Sequence, residues 1–237
     1  MTDARYLDDS GVTTFDATVE RVAGDRVVLD GTHFYPEGGG QPSDTGVLRA
    51  DGDEWRVTDV QKRDTIYHEV AGDPPAAGTE VVGELDADRR RAHSRYHTAQ
   101  HLLSAVLLDE FDAPTTGNQL YADRARLDCE HERFDDADLD AIERAVNGLV
   151  DADHAVEWYT LDRETAEAEL DPERTRLDLL PDSITEVRIV DIGGGDVDRT
   201  ACAGTHVSNT GEVGLFSITG RETAGAGEER VRFELDE

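Results

Sequence analysis

Between residues 12 and 85, apolar and polar positions alternate in short runs, the two-residue period of half-buried strands. Thr14–Val22, Arg26–Leu29, Trp55–Val60, Thr65–Glu69 and Glu80–Leu85 are predicted strands, punctuated by turns at Ala23-Gly-Asp25 and Gly72-Asp-Pro-Pro75. Asp73–Gly78 reads as loop. Many short strands without a long helix predict a small β-barrel over residues 1–86. Near Asp86 the period lengthens. Arg89–Leu108 carries Ala99, Leu102, Leu103, Val106 and Leu107 at helical spacing, and Asp86 or Asp88 can cap its start. Further on, Asp136–Val150 repeats the helical pattern through Leu139, Ile142, Val146 and Leu149, and Arg163–Leu170 reads as a short helix. Asp123–Cys129, Ala155–Leu161 and Ile184–Ile192 read as strands, and Gly214–Gly220 with Glu229–Glu234 as a closing hairpin. The expected class is α+β: a barrel over 1–86, then an α+β domain with antiparallel sheet over 87–237.

The long predicted helix carries chemistry. His97 and His101 are four apart and stand one above the other on one face. About a hundred residues later comes Cys202-Ala-Gly-Thr-His206. A lone His pair is weak evidence for a metal. A thiol and a third imidazole in a glycine-bearing turn change that, because the chain has only two cysteines. Three imidazoles and a thiolate form a donor set that suits zinc.

Charge changes the picture in one respect. The 237 residues carry 54 acidic and 23 basic side chains, a net charge of -31, and Lys62 is the only lysine. Such acidity suggests adaptation to very high internal salt, where screening shrinks to about 3 Å and global charge says little about local binding. Arg89, Arg90, Arg91 and Arg95 are the densest basic cluster; they suit phosphate contact, or surface pairing with neighbouring acids. Arg126, Arg221 and Arg230 are further candidates. Two cysteines are too few for a disulfide framework. No signal-peptide pattern and no run of ~18 apolar residues is present, so a soluble, cytoplasmic protein without a membrane partner is expected.

Thr32-His-Phe-Tyr-Pro-Glu-Gly-Gly-Gly-Gln-Pro-Ser-Asp-Thr-Gly46 does not suit a strand interior. It fits a glycine hairpin or a binding loop equally well, with Phe34 and Tyr35 in the barrel core. Together with Arg95-Tyr-His-Thr-Ala-Gln-His-Leu-Leu103 and Cys202–His206, this segment resembles the editing domain of alanyl-tRNA synthetase and its free-standing AlaX relatives. The resemblance spans almost the whole chain and also takes in Val57–Gln61 and Gly117-Asn-Gln-Leu120. It implies a trans-editing hydrolase of the type with both units, acting on tRNA(Ala) mischarged with serine or glycine. His97, His101, Cys202 and His206 are then the Zn²⁺ ligands. Thr32 is implied as the reader of the seryl hydroxyl, and Gln61 is a second pocket candidate. Thr98 and Gln100, between the ligands, are expected to be structural. Where the family commonly has Gly-Gly after the cysteine, this chain has Ala203-Gly204, which matters only if position 203 needs a positive φ. Competing expectations are editing of another mischarged tRNA, as in the threonyl-tRNA synthetase editing domain, a small-molecule hydrolase, and a tRNA-binding module with a structural zinc. Oligomeric state is not legible.

Overall fold

The computed structural model describes residues 1–175, 177–181 and 183–236. It divides into two compact units, Met1–Ser94 and Arg95–Glu237. Among the described residues no helix is long and apolar enough to cross a membrane.

In the first unit, β1 (Asp3–Ala4) pairs in parallel with β4 (Gly31–Thr32). The other strands are β2 (Thr14–Ala23), β3 (Arg26–Leu29), β5 (Gly46–Ala50), β6 (Asp53–Lys62), β7 (Ile66–Val70) and β8 (Glu80–Leu85). These six close a barrel in the order β2-β3-β7-β6-β5-β8, antiparallel throughout. Val19, Val27, Leu48, Val57 and Val60 lie inside, the last two both inward because of an irregularity in β6 between Val57 and Asp59, together with Phe34 and Tyr35 as expected.

Strand β5 was not foreseen. It is short and opens on a glycine, yet both β6 and β8 bond to it, so closure depends on it. Gly46 is required for space: a Cβ there would lie 2.2 Å from the Glu84 carbonyl oxygen and 2.9 Å from the Phe34 ring. The triple glycine forms a tight hairpin in which Gly38 and Gln41 exchange backbone bonds of 3.1 and 2.9 Å. Gly39 and Gly40 sit at φ 57° and 80°, the paired positive angles of a type I′ turn.

Helix α1 (Ala87–Phe111) is capped by Asp86, whose carboxylate accepts the Arg89 N–H at 3.1 Å. It is followed by β9 (Thr115–Leu120), β10 (Ala125–Glu130), α2 (Asp136–Asp151), β11 (Val156–Asp162), α3 (Arg163–Glu169), β12 (Glu186–Ile192), β13 (Asp198–Ala201), β14 (Leu215–Gly225) and β15 (Glu228–Asp236). The second unit has an antiparallel sheet in the order β14-β15-β10-β9 and a smaller one in the order β11-β12-β13. Ala99, Leu102, Leu103, Val106 and Leu107 are all buried, as their spacing predicts. They share one core with Ile142 and Val146 of α2 and with Leu127, Val231 and Phe233 of the larger sheet. Asp123 lies in a turn rather than a strand, because the Tyr121 N–H closes onto the Arg124 carbonyl at 2.9 Å. Strands β9 and β13 were missed; each is a short, mostly polar edge strand with few apolar residues to mark it.

Candidate metal centre

The second unit brings together the four residues that the sequence singled out. His97 and His101 rise from α1 one turn apart, with ring centroids 5.3 Å from each other. Cys202 and His206 lie in the loop that follows β13. The His206 ring is 4.6 Å from that of His97 and 4.9 Å from that of His101. The Cys202 Sγ stands 3.5 Å from His97 Nε2 and 3.3 Å from His206 Nε2. One potential ligand atom from each of the four residues lies within 4.8 Å of the others. Bond lengths of ~2.0–2.3 Å around a tetrahedral zinc put its donors about 3.3–3.8 Å apart. The donor types fit such an ion, and the two Cys202 Sγ separations fall in that range.

The loop is held by Arg188 of β12. Its Nη1 donates to the Cys202 and Gly204 carbonyls at 2.8 and 3.1 Å, while its guanidinium lies 5.2 Å from the centroid of the Trp158 ring. The Gly204 N–H in turn donates to Cys202 Sγ at 3.3 Å. Gly204 has no room for a side chain: a Cβ would stand 2.0 Å from His97 Cε1. Ala203 is exposed and has no positive φ, so the departure from Gly-Gly is harmless.

Two outer partners were not recognised in the sequence. Asp198 Oδ2 lies 2.7 Å from His101 Nδ1, and Thr98 Oγ1 lies 3.1 Å from His206 Nδ1. Carboxylate and hydroxyl groups on the far nitrogen fix ring orientation and tautomer, leaving Nε2 to face the ligand cluster. Thr98 is thus part of the centre's support. Burial works against a charge on His101, but Asp198 and Cys202 outweigh it and raise the pKa to about 10. Burial pushes His206 down to about 3, against the pull of Cys202. Burial would also raise Cys202, yet the neighbouring His97 and His206 hold the thiol well below its ordinary value, toward the thiolate that binds metals. Cys129 is different: burial pushes it up to about 12, and its Sγ meets the Glu229 carbonyl at 3.7 Å.

Thr32 and Gln61 belong to the first unit. Thr32 is fully buried. Its Oγ1 accepts the Phe34 N–H at 3.1 Å and lies 2.8 Å from His68 Nε2. Burial lowers the His68 pKa to about 4, which keeps the ring neutral near pH 7. Its Nδ1 faces the Val27 carbonyl at 3.3 Å, so Nδ1–H donates there and Nε2 accepts the Thr32 hydroxyl. Gln61 is half-buried on β6, donating to Asp59 at 2.9 Å and accepting from Arg63 at 2.9 Å.

The arginine cluster also has internal work. Arg90 is 2 % exposed, pairs with buried Asp44 and donates to the Ser10 carbonyl at 2.8 Å. Arg89 holds the Ser43 carbonyl, and Arg95 those of Val213 and Asp236. Arg91 is exposed. Arg126 and Arg230 both pair with Asp128, and Arg221 with Glu229.

A family model described as tRNA synthetases class II (A) matches residues 5–89, and one described as threonyl and alanyl tRNA synthetase second additional domain matches residues 187–232. Alanyl-tRNA editing protein AlaX-M of Methanosarcina barkeri is 42% identical over 243 residues, covering 99% of both chains. The AlaX-M of Methanosarcina acetivorans is 40% identical over 245 residues, again 99% of each. Alanine–tRNA ligase of Pyrococcus abyssi is 40% identical over 237 residues, 98% of this chain but 26% of the ligase. With relatives this similar from end to end, the chain belongs to the AlaX-M family of alanyl-tRNA editing proteins.

Proposed function

We propose that this protein is a trans-editing hydrolase that cleaves the ester linking serine, or glycine, to alanine tRNA, with Zn²⁺ held by His97, His101, Cys202 and His206. Water adds to the acyl carbon, the bond to the ribose oxygen breaks, and the free amino acid and the tRNA hydroxyl are released. The observation that carries the reading is the four-residue donor set, its three histidines buried and its cysteine partly so, in a chain whose full-length relatives are named for alanyl-tRNA editing. The need for such a step is physical. An apolar pocket for alanine rejects a substrate with one added hydroxyl by only ~10²-fold, whereas a site that hydrogen-bonds the hydroxyl can discriminate by ~10⁴–10⁵.

Bound zinc would supply Lewis acidity at the scissile ester. The protein's own part is positional. Asp198 and Thr98 set the ring planes of His101 and His206, and Arg188 holds the carbonyls of the Cys202–His206 loop. A competing reading, tRNA binding around a structural ion, is favoured by the donor count, since four protein ligands can fill a tetrahedral zinc. Deacylation of Ser-tRNA(Ala) and Ala-tRNA(Ala), with and without a chelator, separates the two. Rapid loss of the seryl ester, stopped by chelation and restored by zinc, is the expected result. Binding of tRNA without hydrolysis would establish the competitor.

Thr32 is kept as the reader of the seryl hydroxyl; it is fully buried, with its hydroxyl bonded to His68. Thr32→Val removes partners from both His68 and the Phe34 N–H, at a cost of about 1–3 kcal/mol. The expected outcome is a blunted Ser/Ala rate ratio and a lower thermal midpoint, with zinc content intact. An unaltered ratio would remove Thr32 from the substrate pocket. Gln61, already bonded to Asp59 and Arg63, is kept as a secondary pocket candidate.

A further inference from the structure

Behind the donor set lies an arginine that the proposed chemistry does not use. Asp198 is 5 % exposed, and its Oδ2 meets His101 Nδ1 at 2.7 Å. Its other oxygen, Oδ1, faces Arg174 Nη1 at 3.6 Å. Among the described residues, no basic side chain besides these two is paired with this carboxylate. Arg174 is fixed on several sides. Its Nη1 also reaches the Val197 carbonyl at 3.5 Å, and its Nη2 pairs with Asp109, about two turns beyond His101 on α1. The backbone around it is stitched to β13: the Arg174 carbonyl accepts the Thr200 hydroxyl at 3.2 Å, and Thr175 Oγ1 accepts the Ala201 N–H at 2.8 Å. Those bonds hold the turn without the guanidinium, so its reach to Asp198 calls for another reason. An exposed ion pair is worth little, but this arm ends on a buried carboxylate, where the loss of a partner matters more.

We propose that Arg174 is a positioning residue for the metal centre, acting through Asp198 on His101. The proposal rests on the zinc assignment made above. A metal ion takes a neutral imidazole, so a ligated His101 offers the carboxylate one N–H and no charge. Arg174 then supplies the cation that a buried carboxylate needs. It also faces the oxygen that His101 does not use, which keeps the carboxylate from turning and so keeps the imidazole plane set. Its planar fork spans Asp109 on one side and Asp198 on the other, a geometry that suits arginine better than a point charge.

The test is the zinc dissociation constant of the full chain without tRNA, measured by competition with a chromophoric chelator. Arg174→Met removes the charge and keeps an unbranched stem. We expect it to bind zinc about three- to tenfold more weakly, a smaller loss than the ~10–100-fold typical of removing an outer partner itself. Arg174→Gln, which keeps a donor for the Val197 carbonyl, should show the same loss and replaces Arg174→Met should that variant not fold. Arg174→Lys restores the charge on a similar stem and should recover most of the affinity. In an Asp198→Asn background, removing the Arg174 charge should cost nothing further, because the partner it acts through is gone. Unchanged affinity in the uncharged variants, no recovery in Arg174→Lys, or an equal loss with and without the Asp198 carboxylate would each overturn the proposal. A wild-type protein that binds no zinc would sink the metal assignment itself, a result distinct from failure of the Arg174 variants alone.

Discussion

Gly204→Ala is expected to cripple the centre with the addition of one methyl group. The added Cβ would sit 2.0 Å from His97 Cε1, 2.2 Å from Nδ1 and 3.1 Å from Nε2, so the imidazole must leave its place. Backbone strain is not the reason, since Gly204 is not among the glycines at positive φ. The obstacle is space against a ring whose position decides whether the donor set closes. The loop cannot retreat freely, because Arg188 holds the carbonyls on both sides of Ala203. Overpacking of this kind costs about 1–3 kcal/mol. A catalytic group displaced by about 1 Å can cost ~10²-fold in rate. Gly204→Ala should therefore lose at least that factor in Ser-tRNA(Ala) deacylation and bind zinc more weakly, as measured by steady-state kinetics and metal titration. Ala203→Gly, at the exposed neighbouring position, should leave both unchanged.

His97→Ala should have the largest effect. It removes one of the four donors outright and empties the space against which Gly204 packs. Its effect on metal affinity should exceed the roughly 10–100-fold typical of losing an outer partner such as Asp198. The fold should survive, because the apolar face of α1, from Ala99 to Leu107, packs in the core independently of that ring. A circular dichroism spectrum like that of the wild type, with deacylation reduced to background, is the expected combination.

Legibility followed the strength of the local signal. The face of α1 was readable because five apolar positions repeat at helical spacing, and the donor set because histidine and cysteine are scarce enough for their spacing to stand out. The barrel was foreseen from period-two alternation, but β5 was not: Gly46-Val-Leu-Arg-Ala50 is too short to show a period, and only closure reveals it. Asp198 was hidden for a different reason. It is one of 54 acidic residues, and nothing local marks the one that meets His101. Arg90 misled because a basic cluster reads as surface, whereas Asp44, 46 residues away in sequence, draws it inside. Thr98 and Gln100 looked structural because helical spacing alone assigns them other directions; burial and partners show that the polar face of α1 is broader than two histidines.

The measurement that bears most directly on the account is the zinc content of purified protein, wild type beside His97→Ala, after dialysis against metal-free buffer. Four side chains sharing one ion predict close to one zinc per chain in the wild type and almost none in the variant, with both proteins folded. A folded wild type that holds no metal, or a variant that keeps its full equivalent, would contradict it.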